Sequence, residues 1–126
     1  MGKPVNSNVK REETIALNAK VNKEVFENFK DCLGKYGYPM NVMLEFFMRQ
    51  YADGRFDLNS DNILKYKNDN SELDTLSTTF NKKIYLDFKA TCKVNGYFVK
   101  HVITAFMNEF VNGDFVLEYV DKSNKN

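Results

Sequence analysis

Residues 22–30 read NKEVFENFK, and residues 81–89 read NKKIYLDFK. The two stretches lie 59 positions apart in a chain of 126 residues. Applied without a gap from Leu17 to Leu58, the same offset gives twelve identities in 42 positions, among them Leu17/Leu76, Asn22/Asn81, Phe29/Phe88, Gly37/Gly96, Phe47/Phe106 and Gly54/Gly113. Other pairs keep their character, as in Val25/Ile84, Leu44/Ile103 and Tyr51/Phe110. Self-similarity at a fixed offset is the mark of a repeated unit, so we read one module of about 45 residues written twice.

Each copy opens on a two-residue period. In TIALNAKV (14–21), Ile15, Leu17, Ala19 and Val21 share one face, and Thr14, Ala16, Asn18 and Lys20 share the other. In DTLSTTF (74–80), Leu76, Thr78 and Phe80 alternate with Thr75, Ser77 and Thr79. Alternation of this kind predicts a half-buried strand. The period then lengthens to that of a helix. Asn22 and Asn81 stand where an N-cap belongs, since their side-chain oxygens can accept from the unpaired N–H groups of the first turn. Val25, Phe26, Phe29, Cys32, Leu33 and Tyr36 form the apolar stripe of one helix, and Ile84, Tyr85, Phe88, Cys92 and Asn95 that of its counterpart. Gly37 and Gly96 predict left-handed C-caps. A second helix follows in each copy, over about 40–53 and 99–112, with Met43, Leu44, Phe47 and Tyr51 matched by Val102, Ile103, Phe106 and Phe110.

A strand and two helices in about 45 residues bury too little apolar surface to stand alone, and one strand leaves its ladder unpaired. Two copies remove both problems if their strands pair antiparallel and their four helices share a core. The expected fold is therefore mainly α with a two-stranded antiparallel β-ribbon. Its parts are a flexible arm over 1–13, modules over 14–58 and 73–117, a polar linker over 59–72 and a tail over 118–126. Fully extended, the linker spans roughly 46 Å at ~3.3 Å per residue, ample to return the chain to the second strand.

Composition removes several classes of function. Apolar residues make up 43% and charged residues 28%, an ordinary globular balance. No apolar run reaches the ~20 residues of a membrane span, and the first residues carry no apolar signal core. Two cysteines, Cys32 and Cys92, give neither a disulfide framework nor metal-ligand spacing, so a reduced cytoplasmic setting is expected and the thiols are read as packing groups. No phosphate-cradling glycine motif, dinucleotide fingerprint or HExxH occurs, and the single histidine, His101, has no catalytic partners in the sequence. No enzyme activity, cofactor or metal is expected. The net charge of +1 carries no argument for nucleic acid by itself; any such argument rests on where the charges sit.

The alternating strand, the Asn22-Lys23-Glu24-Val25-Phe26 helix entry, Gly37 and the apolar second helix, all recurring from Asn81 and Gly96, resemble the ribbon-helix-helix superfamily, the Arc and MetJ class of DNA-binding proteins. The resemblance covers about residues 14–58 and 73–117. A tandem copy within one chain is similar to the TraY-type accessory proteins of conjugative plasmid relaxosomes, and implies a pseudo-dimer in one chain. The chain departs from the pattern at Pro39 and Phe98, where the family places a Ser or Thr cap on the second helix, and neither strand carries an arginine.

The resemblance implies double-stranded DNA as partner, with the ribbon in the major groove and its outward side chains reading bases. The readers would be Ala16, Asn18, Lys20, Thr75, Ser77 and Thr79. Backbone phosphates would meet the second-helix N-termini at Met40, Asn41, Val99 and Lys100, supported by Lys23, Lys82 and Lys83 at the starts of the first helices. Because the strands present Ala-Asn-Lys and Thr-Ser-Thr, the expected site is asymmetric, read as direct repeats. Further partners implied are other copies on adjacent sites and a relaxase, with no membrane, in a bacterial cytoplasm at nucleoid or plasmid. The role would be that of a relaxosome accessory protein or a transcriptional regulator of mobile-element genes. The competing expectation is a protein-interaction module that keeps the fold without specific DNA binding, favoured by the low net charge, the arginine-free strands and the missing caps.

Overall fold

The computed structural model describes residues 13–113. Among them the chain forms one two-stranded antiparallel sheet and five helices. In chain order these are β1 (Thr14–Asn22), α1 (Lys23–Tyr36), α2 (Met40–Ala52), α3 (Ser60–Leu64), β2 (Leu73–Asn81), α4 (Lys82–Asn95) and α5 (Val99–Asn112). Residues 1–12 of the arm expected over 1–13, with Lys3, Lys10 and Arg11, residues 114–117 of the second expected module and the expected tail over 118–126 lie outside the described residues.

The strands pair along their whole length, from Thr14 opposite Asn81 to Asn22 opposite Leu73. At the centre Asn18 faces Ser77, two residues separated by the 59-residue offset. The pairing therefore maps onto itself when that offset is applied. The ends match as well. Lys23 N–H donates to Glu72 O at 2.9 Å, and its counterpart Lys82 N–H donates to Glu13 O, also at 2.9 Å. β2 runs one residue further at each end than the alternation predicted, because Leu73 and Asn81 still find ladder partners in β1.

Both strands turn directly into helices through the two asparagines. Asn22 Oδ1 accepts from Val25 N–H at 2.9 Å and Asn81 Oδ1 from Ile84 N–H at 3.0 Å. Each satisfies one of the orphan donors of a first turn. α1 and α4 stop at Gly37 (φ 76°) and Gly96 (φ 84°), left-handed backbone that an L side chain resists. α2 and α5 start at Pro39 and Phe98 with no side-chain cap.

The core is built from rings of both halves. Phe47 stacks on Phe106, its 59-offset counterpart, with centroids 4.1 Å apart and planes 12° from parallel. Phe29 meets Phe106 edge-on at 6.0 Å, and Phe88 meets Phe47 edge-on at 5.6 Å. All four rings are fully buried. Val21, Leu76 and Phe80 close this core from the inner face of the sheet. Aromatic contacts of these geometries contribute about 0.5–1.5 kcal/mol beyond the area they bury.

Three expectations change. Tyr36, placed on the apolar stripe, is 62% exposed and stacks on Tyr38 instead, because α1 ends there and its last turn runs past the core. Cys32 is half-buried where a core thiol was expected, whereas Cys92 is fully buried. Burial pushes the Cys92 thiol up to about 12, as suits a packing group. The segment after α2 is more than a polar tether. Asn59 caps α3, Leu58 and Ile63 are buried, Tyr66 packs against the core, and Asn62 Nδ2 donates to the buried Glu109 at 2.8 Å.

Because one ring stack serves both halves, Phe106→Ala should cost about 3–5 kcal/mol, as large aromatic truncations do. Urea unfolding followed by circular dichroism and by tyrosine fluorescence should show one coincident transition shifted to lower denaturant. Separate transitions for the two halves would contradict a shared core.

Candidate nucleic-acid interface

All six residues expected to read bases lie on the exposed face of the sheet. The register brings them together as three cross-strand pairs: Ala16 opposite Thr79, Asn18 opposite Ser77 and Lys20 opposite Thr75. Two pairs are hydrogen-bonded, Lys20 Nζ donating to Thr75 Oγ1 at 2.8 Å and Ser77 Oγ to Asn18 Oδ1 at 2.6 Å. These bonds hold the polar groups upright on the pleat, as directly opposed cross-strand partners do. Lys20 spends one of its three donors on Thr75, and the Thr75 hydroxyl proton stays available. The outer face carries a single charge, that of Lys20. Asp74 points to the other side and is half-buried, its Oδ1 accepting from Thr75 N–H.

The first turns of α2 and α5 flank the ribbon at opposite corners. Near the end of β2, Asn81 N–H donates to Glu45 of α2 at 2.6 Å. Near the end of β1, Lys20, Val21 and Asn22 share a cavity with Lys100, His101 and Thr104 of α5. Of the expected phosphate residues, Asn41 and Lys100 are exposed, while Met40 and Val99 are half-buried against the core and offer backbone N–H groups only. Lys23, Lys82 and Lys83 are paired: with Glu72 at 3.4 Å, with Glu13 at 3.3 Å and with Asp87 at 3.0 Å. Exposed pairs of this kind are worth little and exchange readily. They lower the positive charge presented around the helix entries all the same. Among the described residues neither Lys20 nor Lys100 is in an ion pair.

Sequence reading did not find Tyr66, Lys67 and Asp69, which line the same cavity from the segment after α3. A signal was present: Asn59 with Ile63 and Tyr66 four and seven residues on is the pattern of a capped helical turn with one apolar side. Asp69 accepts from Asn22 Nδ2 at 2.8 Å and from Ser71 N–H and Oγ. The bonds from Ser71 and then Asn22 hold its carboxyl below the usual range. Burial, then Asp69 and Glu109, push the Tyr66 phenol up to about 12, so it remains a donor. Among the described residues no group of His, Cys, Asp and Glu is placed to hold a metal ion, and no helix is long and apolar enough to cross a membrane. Comparisons of this chain with family models, with curated proteins and with solved structures gave no match.

Burial, then Lys100 and Lys67, lower the pKa of His101 below the ordinary imidazole value of 6.5. The folded state thus binds fewer protons than the unfolded chain just below that value. Stability should fall as pH drops through 6.5 toward the lowered folded pKa, and no further below it on this account. Melting curves from pH 7 to pH 5 should show the decline, and His101→Gln should flatten it. An equal decline in the variant would assign the effect elsewhere.

Proposed function

We propose that this chain binds double-stranded DNA in a sequence-specific manner, laying the exposed face of its ribbon in the major groove as a tandem ribbon-helix-helix pseudo-dimer. One observation carries the reading. A two-stranded sheet packs one face on the core and presents on the other only Ala, Asn, Lys, Ser and Thr around the centre, three cross-strand pairs long. Two strands lie about 4.8 Å apart, and the major groove is about 12 Å wide, so the ribbon fits without deforming the duplex. The side chains suit base edges. Lys20 can donate to guanine O6 and N7, Asn18 can pair with adenine N6 and N7, and the methyls of Ala16, Thr75 and Thr79 can pack on thymine. Ser77 serves as donor or acceptor.

The tandem arrangement is supported by the 59-residue offset that relates Asn18 to Ser77 across the ladder and Phe47 to Phe106 across the core. In biological terms the reading extends to a relaxosome accessory protein at a transfer origin, or to a transcriptional regulator of mobile-element genes. Both use the same groove chemistry. A relaxase gene or transfer origin beside the coding sequence would select the first. The second reading, a protein-interaction module on the same fold, is favoured by the ion-paired Lys23, Lys82 and Lys83 and by a reading face with one charge.

Selection of bound sequences from random DNA by the purified chain, followed by mobility shift over a salt range, separates the two. DNA binding predicts an enriched motif without perfect inverted symmetry, and log affinity that falls linearly with log salt by about 0.9 per phosphate contacted. Combined Asn18→Ala and Lys20→Ala should lower the specific-over-random ratio at least about tenfold, since good base pairs discriminate by ~1–3 kcal/mol each. Lys100→Ala should weaken binding to all sequences alike. No enriched motif and no salt-dependent shift would leave the interaction module standing.

A further inference from the structure

The two ends of the ribbon differ in charge. At the end of β1 a cavity of about 120 Å³ is lined by Lys20, Asn22, Tyr66, Lys67, Asp69, Lys100, His101 and Thr104, among others. Two exposed lysines, Lys67 and Lys100, and an imidazole thus meet there from the segment after α3 and from α5, against one carboxylate, while Lys20 lines the cavity but gives its ammonium to Thr75 on the exposed face of the ribbon. That carboxylate, Asp69, is committed to Asn22 and Ser71. Tyr66 adds a phenol that stays protonated. The position related by the 59-residue offset, at the end of β2, reads quite differently. Lys20, Lys100, His101 and Thr104 are replaced there by Thr79, Asn41, Val42 and Glu45. Glu45 places its carboxylate on Asn81 N–H at 2.6 Å. Among the described residues, α5 sets Lys100 and His101 beside Asn22 at one end, and α2 sets Glu45 beside Asn81 at the other.

We propose that the recess seats one phosphodiester of the DNA backbone, held by Lys67 and Lys100 with His101 and Tyr66 as further donors, and that among the described residues the other end of the ribbon, where Glu45 sits on Asn81 N–H, offers no equal seat. The inference rests on the DNA-binding reading and adds to it a polarity. The segment after α3 serves as a wall of the binding site, and it fixes which end of an asymmetric sequence meets α5. A phosphate is the chemistry that fits, because two flexible ammonium groups, an imidazole and a phenol offer donors from several sides to one tetrahedral anion. The neighbouring first turn of α5 adds its N–H groups and the positive end of its dipole. A carboxylate at the opposite corner repels the corresponding phosphate, so that end contributes less to holding the backbone.

The test uses the full chain, its selected DNA and Lys67→Ala, whose exposed side chain makes the change harmless to folding; circular dichroism checks that. Each phosphate of the site is replaced in turn by a neutral methylphosphonate, and affinity is measured for parent and variant. In the parent, neutralising phosphates at one edge of the footprint should weaken binding more than at the other. Lys67→Ala should weaken binding about three- to fivefold, the size of an exposed charge pair, and lower the salt slope by about 0.9. The phosphates at the sensitive edge should then lose their effect in the variant, while those at the other edge keep theirs. If the parent binds DNA but its two edges are equally sensitive, or if Lys67→Ala leaves affinity, slope and the phosphate pattern unchanged, the seat is refuted and the groove reading survives. If the parent binds no DNA, both fall together.

Discussion

Neither β1 nor β2 has a partner within its own half of the chain. A strand alone leaves its backbone N–H and C=O groups without protein partners on both edges, and a module of this size has no spare core to cover them. The ladder between Thr14–Asn22 and Leu73–Asn81 settles both halves at once. Everything else follows from its register. Asn18 opposite Ser77 sets Lys23 against Glu72 and Lys82 against Glu13, and it brings α1 and α4 off the ribbon in opposite directions. The helices can then meet only around a shared centre, which is where Phe47 and Phe106 stack. A one-residue slip would turn Leu76 and Phe80 outward and strand Ser77 and Thr79 in the core, so the register is protected by the whole apolar face.

Much of this was legible because it depends on local periods. Alternation marked the strands, Asn22 and Asn81 marked the helix starts, and Gly37 and Gly96 marked their ends, each cap through a backbone requirement that few residue types meet. The six outward residues of the ribbon were legible for the same reason, since a period of two leaves no choice of face. What escaped was tertiary. The burial of Ile63 and Tyr66 depends on where the chain must travel between α2 and β2, and Asn-rich composition masked one helical turn. Tyr36 kept the spacing of a core residue and is exposed, because periodicity says which side of α1 it occupies and not whether anything lies opposite. The convergence of Lys20, Lys67 and Lys100 joins residues 80 positions apart in sequence and has no local signature.

The low net charge and the proposed ligand are reconciled by placement. Lys23, Lys82 and Lys83 are each matched by a carboxylate on the same surface, which keeps the free protein from attracting polyanions indiscriminately. A duplex approaching the ribbon competes for those lysines with a denser array of charge. The exposed pairs hold them by about 1 kcal/mol or less, so the exchange costs little. On the proposed reading, weak pairing of this kind would lower non-specific affinity more than specific affinity, because only a ribbon seated in the groove would bring phosphates close enough to replace the carboxylates. If the ribbon reads bases as proposed, specificity has to come from few groups, since Lys20 is the sole charge among the six outward residues and the remaining five are small.

Small readers give shallow discrimination at each base, and this makes the unequal ends of the ribbon consequential. A symmetric clamp on an asymmetric reading face would allow the protein to sit on its site in two orientations, one matched and one mismatched, separated only by the readers. On the proposed reading, Lys67 and Lys100 at one end and Glu45 at the other would break that degeneracy through the DNA backbone, whose local shape and charge are felt before any base edge is touched. The segment after α3 lies beside the end of β1, where it can differ without altering either strand. On the proposed reading, the paired strands supply a stable ribbon and the connection between them would supply the direction.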